Sequence, residues 1–341
     1  MRNILLSIAF TTFTLVSACT YKTDIPLEFP TPPPAPGATP LAKLDLKRDA
    51  ELEAQIAKIA AEAKGKVGVA AVVLETGEAA LLNADERFPM QSVYKLPISM
   101  AVMEQVRLDK LDLDEKIGVT KEDFVRAGMR SPLRDKNPNG GEFTIRELIR
   151  LALVESDGTA SDVLMGVAGD APVIQSYLTQ IGIRGMKVVN TEKEIGRDWQ
   201  TQYENWTTPV AAAELLRWLD AARSAPNTDG VGVSKDGLLS ASAFHAFTEA
   251  QWLFHVMADS NPGAKRLKGL LPVSTVVAHK TGTSGTQNGI TAATNDIGIV
   301  SFPNGRRFAV AVFVSDSPAD EKTREAVIAK IAKACWDRWG K

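Results

Sequence analysis

Cysteine is almost absent from this chain, with two in 341 residues, Cys19 and Cys335. No framework of disulfides can be built from that, so folding must rest on an apolar core. Histidine is nearly as scarce. His245, His255 and His279 show no metal-binding spacing, so no metal and no cofactor is expected. An excess of charge of one sign is missing too, since 39 Lys and Arg stand against 41 Asp and Glu, formally −2. With no clustered basic run, nucleic acid is excluded as a partner. Beyond the N-terminus there is no apolar run of the roughly 20 residues that a membrane span needs, and no internal repeat. What remains is 45% apolar and 23% charged, ordinary for a globular protein with room for one large domain or two small ones.

The chain divides into three parts. Residues 1–18 read as an export signal: Arg2 gives a short positive start, Ile4 to Val16 is mostly apolar, and Ser17 and Ala18 are small. Val16-Ser17-Ala18-Cys19 matches a bacterial lipoprotein box, in which Cys19 is lipidated and becomes the new N-terminus; ordinary cleavage after Ala18 is the alternative. A lipid on Cys19 implies a membrane-anchored, periplasmic protein. Residues 19–40 are a linker holding seven prolines, a composition that favours extended, semi-rigid chain. The folded part, 41–341, follows.

Within it, Leu52, Ile56, Ile59 and Ala63 share one helical face. Val67 to Leu74 and Ala79 to Asn83 read as paired strands around Glu75-Thr76-Gly77. Ser92 to Val106 is a helical tract apolar on most sides, and so buried. Thr144 with Glu147 forms a capping box, and Thr208-Pro209 starts another helix. Strands return at Val276–Lys280, Ala293–Ser301 and Phe308–Val314. A closing helix then carries Ile328, Ile331, Ala332, Cys335 and Trp339 on one stripe. This pattern predicts an α/β fold: one antiparallel sheet formed from both chain ends and flanked by helices, plus an all-helical lobe. The site is expected in the cleft between them.

Ser92 and Lys95 form the pattern S-x-x-K, which puts a hydroxyl and an amine on nearly one helical face at a helix start. There the helix dipole favours developing negative charge, and a desolvated lysine can act as the base a serine nucleophile needs. Alone the pattern is common. Here Ser156-Asp157-Gly158 follows a capped helix, and Lys280-Thr281-Gly282 closes a strand. S-x-x-K, S-D-x and K-T-G in that order form the motif set of class A β-lactamases and penicillin-binding proteins.

On these motifs the chain resembles class A serine β-lactamases over about residues 45 to 340. Ala278-His279-Lys280-Thr281-Gly282-Thr283-Ser284-Gly285, Ala292-Ala293-Thr294-Asn295-Asp296, Ala160-Ser161-Asp162 and Gln202-Tyr203-Glu204-Asn205-Trp206-Thr207 look like its extended-spectrum subgroup. The resemblance implies a hydrolase that opens the ring of small-molecule β-lactams, penicillins and cephalosporins, through an acyl-enzyme on Ser92. A monomer is expected. Lys95, or Glu192 through a water, takes the Ser92 proton, and Ser156 relays a proton to the leaving nitrogen. The backbone N–H groups of Ser92 and Thr283 form the oxyanion hole. Lys280, Thr281, Thr283 and Ser284 hold the substrate, with Arg266 supporting that anion site. Glu192 activates water against the acyl-enzyme, and Ile195 after it fits the same loop.

Four positions depart from the family's pattern. Gly158 replaces an asparagine, and Gly196 replaces a common asparagine that helps hold the hydrolytic water. Asn190 and Asn205 stand where many members carry an Arg–Asp ion pair. A differently held loop is expected, with Asp162 bonding near Glu192. The competing readings are a D-alanyl-D-alanine carboxypeptidase or transpeptidase, and a lipoprotein that binds penicillin without turnover. Glu192 speaks against both.

Overall fold

Valine and alanine dominate three runs of the chain, and these become the middle of the sheet. The strands are β1 (Lys66–Val73), β2 (Glu78–Leu82), β3 (Val277–Thr283), β4 (Ile290–Ser301) and β5 (Arg307–Ser317). They lie in the order β2-β1-β5-β4-β3, each long pairing antiparallel. Two-residue strands extend the sheet: Lys47–Arg48, parallel to β2, and Thr286–Gln287, against β4. The computed structural model describes residues 40–224 and 241–340. The export signal, Cys19 and the Pro-rich linker up to residue 39 lie outside the described residues.

Side chains alternate across a strand, so one run serves two cores. Val67, Val69, Ala71 and Val73 share one face with Val310, Val312 and Val314, under the two terminal helices. These are α1 (Ala50–Ala60) and a closing helix, Glu321–Trp339. Leu52 and Ile56 of α1 and Ile328, Ile331 and Cys335 of the closing helix are buried there. Asp49 caps α1 by accepting from Leu52 N at 3.0 Å, and Asp320 caps the closing helix through Thr323 N at 2.7 Å. Such caps contribute about 1 kcal/mol each. Cys335 is fully buried, which pushes its thiol well up and leaves it inert.

The opposite face of the sheet looks into a larger core shared with the central helices. Gly68 pairs with Phe313, and the missing side chain makes room for the Phe88 ring, 5.8 Å from Phe313. The longer helices are α2 (Lys95–Arg107), α3 (Ile145–Val154), α4 (Gly158–Val167), α5 (Pro209–Ser224) and α6 (Ala241–Ala258), with a further helix, Asp170–Gln180, between α4 and α5. The Thr144–Glu147 capping box of α3 is formed in both directions. This lobe also carries two short ladders. One pairs Lys116–Val119 with Gly141–Thr144, and the other joins Phe88–Pro89, Trp206–Thr207 and Met186–Lys187.

The tract after Pro89 differs from the expected single helix. Gln91–Tyr94 is a 3₁₀ turn and α2 begins at Lys95. Gln91 sits at φ +48, a left-handed backbone that an α-helix cannot contain. Pro97 falls at the third position of α2, where the missing N–H has no helical partner to lose.

Candidate active site

A cleft of about 630 Å³ opens between the sheet and the helical lobe, and Ser92, Lys95, Ser156, Glu192, Thr281, Thr283 and Ser284 line it. Four separate segments bring these side chains together. Each has its own local reason for being there.

The Ser92 turn is braced on three sides. Gln91, strained by about 1 kcal/mol or more in its left-handed conformation, donates from its side-chain amide to Gln202 Oε1 at 2.8 Å. Met90 N donates to Asn205 O at 2.9 Å. Asn295 Nδ2, from β4, donates to the carbonyls of Pro89 and Met90 at 2.8 and 3.1 Å. Strand β3 passes so close that a Cβ on Gly282 would lie 2.3 Å from Met90 O. Only glycine fits there. Ser284 N donates to Ala293 O at 3.0 Å, so antiparallel alternation turns the Thr283 N–H to the free edge of β3. That edge faces the Ser92 turn, the side on which an oxyanion hole shared with the Ser92 amide is expected.

Ser156 lies between α3 and α4, itself at φ +57. Its neighbour Asp157 is fully buried and caps α4, accepting from Ala160 N at 2.9 Å, Leu133 N at 2.6 Å and Ser131 Oγ at 3.0 Å. The aspartate of S-D-x is thus a brace, and it aims the serine before it. Lys280 Nζ donates to Ser156 Oγ at 3.0 Å, and Lys95 Nζ donates to Ser156 O at 2.9 Å. Burial, joined by the nearby Lys95 charge, presses Lys280 well below the ordinary lysine range.

Glu192 closes the circuit. Its Oε1 pairs with Lys95 Nζ at 2.7 Å and accepts from Ser92 Oγ at 3.3 Å. One carboxylate oxygen therefore touches both the hydroxyl and the amine. Glu192–Ile195 is a single helical turn capped by Thr191, whose backbone N–H donates to Glu194 at 2.8 Å. Glu194 is spent on that cap and Glu192 faces the cleft. Asp162 of α4 holds the turn from below, accepting from Glu192 N at 2.6 Å and Lys193 N at 3.1 Å. Burial is the main force raising Asp162, to about 7, against the pull of those two amides. In place of an ion pair, Asn205 Oδ1 accepts from Val189 N and Asn190 N, and its Nδ2 donates to Asn190 O. Asn190 Nδ2 in turn donates to Glu204.

The expected substrate residues split into two layers. Thr281, Thr283 and Ser284 line the cleft, while Lys280 is fully buried behind them. Ser284 Oγ accepts from Ala293 N at 2.8 Å and donates to Gly285 O at 2.9 Å, so its hydroxyl also ties down the strand end. Arg266 is buried, not a surface arginine. It donates to Thr283 Oγ1 at 2.8 Å and Asn295 O at 2.9 Å, and pairs with Glu325 at 3.1 Å. It acts on the cleft by fixing Thr283. The Gln91–Gln202 bond and the contacts of Asp157 with Ser131 and Leu133 had no local sequence signal, because their partners are remote in the chain.

A serine hydroxyl touching a carboxylate, with two lysine amines converging on a second serine, defines a serine acyl-transfer centre of the S-x-x-K type. The chain belongs to the β-lactamase enzyme family, whose model matches residues 51–229 and 243–339, and within it to the class A serine enzymes. The extended-spectrum β-lactamase PER-1 of Pseudomonas aeruginosa is 37% identical over 84% of this chain and 86% of its own length. β-Lactamase VEB-1 of the same organism is 35% identical over 80% of this chain and 85% of its own. The crystal structure of TLA-3 extended-spectrum β-lactamase superposes with a TM-score of 0.76 at 38% identity, covering 85% of this chain and 99% of that one.

Proposed function

We propose that this chain hydrolyses the β-lactam amide bond of penicillins and cephalosporins through an acyl-enzyme on Ser92, and so confers antibiotic resistance. The observation that carries this reading is Glu192 Oε1, in contact with both the Ser92 hydroxyl and the Lys95 amine. Ser92 Oγ donates to Glu192, which supports the carboxylate, with Lys95 beside it, as acceptor of the serine proton during attack on the lactam carbonyl. Charge then develops on that oxygen, facing the amides of Ser92 and Thr283. Ser156, fed by the Lys280 amine at 3.0 Å, is set to pass a proton to the departing nitrogen. The serine proton leaves Glu192 by way of Lys95 toward Ser156, replacing the one given to the nitrogen. Glu192, again a carboxylate, then draws a proton from water, whose oxygen attacks the ester, and gives it to Ser92 Oγ as that bond breaks. Thr281, Thr283 and Ser284, backed by Lys280 and Arg266, receive the substrate carboxylate.

A carboxypeptidase or transpeptidase, or a penicillin-binding lipoprotein, would stay acylated. Stoichiometric chromogenic cephalosporin separates the readings: many turnovers per chain are expected, and one burst without a steady state overturns hydrolysis. The site is complete within one chain, which supports action as a monomer.

We further infer that residues 1–18 export the chain, that Cys19 carries lipid, and that 19–40 tethers domain 41–341 to a periplasmic membrane face. The native protein is expected in the detergent phase and Cys19→Ala outside it. Native protein that is fully soluble, starting at Cys19 with no added mass, overturns the anchor.

A further inference from the structure

The cleft is lined by four cationic side chains: Lys95, Arg126, Arg130 and Arg197. Three of them are neutralised where they stand. Lys95 pairs with Glu192 at 2.7 Å, Arg130 with Glu155 at 3.2 Å, and Arg197 with Asp198 at 3.3 Å. The guanidinium of Arg126 has no ion pair or hydrogen bond among the described residues. It is nonetheless well rooted. The carbonyls of Val125 and Arg126 each accept from Arg134 Nη1 at 2.8 Å, so the backbone beneath the side chain is fixed.

Its location is specific as well. Arg126 Nε lies 3.2 Å from where a Cβ on Gly196 would stand, with Met129 Sδ at 2.6 Å from the same point. Gly196 directly follows the Glu192–Ile195 turn. The free guanidinium therefore overhangs the Glu192 side of the nucleophile. The Thr281–Ser284 strand, which takes the ring carboxylate, is a different wall. The space beside Gly196 is already taken by Met129 and Arg126, while nothing lies within 4 Å of a Cβ on Gly128, which also lines the cleft. Room for an acyl side chain lies at Gly128, two residues along from Arg126.

The geometry points to Arg126 as a second anion subsite, one that favours β-lactams bearing a carboxylate on the acyl side chain. This inference rests on the hydrolytic reading and adds a substrate class to it. A guanidinium accepts a carboxylate through paired N–H donors, and nothing on the protein competes for those donors. The group is exposed, so solvent screening limits the gain to about three- to tenfold.

Carbenicillin and benzylpenicillin differ by one such carboxylate, and the ratio of their kcat/KM values reads the subsite directly. In the native protein that ratio should fall as salt is added, because salt screens an exposed pair. Arg126→Gln should lower it about three- to tenfold, Arg126→Glu should lower it further, and Arg126→Lys should keep most of it. A ratio unmoved by both Arg126→Gln and Arg126→Glu, with each penicillin still hydrolysed, overturns the subsite and leaves the hydrolase reading intact. Native protein that turns over neither penicillin overturns that reading, and the subsite with it.

Discussion

Ser92→Ala is expected to abolish penicilloyl labelling and to cut β-lactam turnover by about 10⁴-fold or more, as loss of a nucleophile does in other serine acyl enzymes. The protein should stay folded. Ser92 is only partly buried, and among the described residues its hydroxyl makes one hydrogen bond, to Glu192 at 3.3 Å. Losing a hydrogen bond of that length costs about 1 kcal/mol, or roughly 2–4 °C in Tm for a domain of this size. What holds the turn belongs to its neighbours: the Gln91 amide on Gln202, Met90 N on Asn205, and Asn295 on two carbonyls. All survive the substitution. Intact mass after incubation with penicillin, together with a melting curve, checks both halves. A Ser92→Ala protein that still gains penicilloyl mass would place the nucleophile elsewhere, with Ser156 the next hydroxyl in the cleft.

Much of this site was legible because its motifs obey local rules. S-x-x-K reads from helix periodicity, Thr144 with Glu147 from capping, and Lys280-Thr281-Gly282 from a strand that runs into a turn. Even the departures were readable: Asp162 was expected near Glu192 once Asn190 and Asn205 removed the usual ion pair, and its carboxylate does hold that turn. Other features depend on the tertiary fold. The expected Ser92 helix opens as a 3₁₀ turn before α2 and follows a left-handed Gln91, and nothing in Met90-Gln91-Ser92 announces either. Its partner Gln202 comes from a remote loop. Gly282 reads as part of a motif, yet its physical necessity, a backbone 2.3 Å from any Cβ, appears only when β3 meets the Ser92 turn. Nothing in Lys265-Arg266-Leu267-Lys268 announces that Arg266 is buried against Thr283 and Glu325.

The same logic separates two glutamates that sequence alone leaves two residues apart. Glu194 accepts the backbone N–H of its own N-cap, Thr191. Glu194→Ala should cost about 1 kcal/mol of local stability and leave turnover nearly native. Glu192 meets the Ser92 hydroxyl. Removing a general base costs about 10² to 10⁴ in rate, and the loss should fall on deacylation, the step that needs water activated. Two substitutions divide that effect from packing. Glu192→Ala also strips the 2.7 Å partner from Lys95, which is nearly fully buried and among the described residues keeps only the hydrogen bond to Ser156 O. Some destabilisation follows from that alone. Glu192→Gln keeps the shape and a neutral acceptor while removing the basicity, so it should stay better folded and equally unable to deacylate. Both variants should still label at Ser92, more slowly if the same carboxylate takes the serine proton, and then persist as long-lived adducts by intact mass. Gly196 sharpens the expectation, since it has no side chain to help hold the water. A Glu192→Gln protein that hydrolyses penicillins at the native rate would show that the deacylating base lies elsewhere in the cleft.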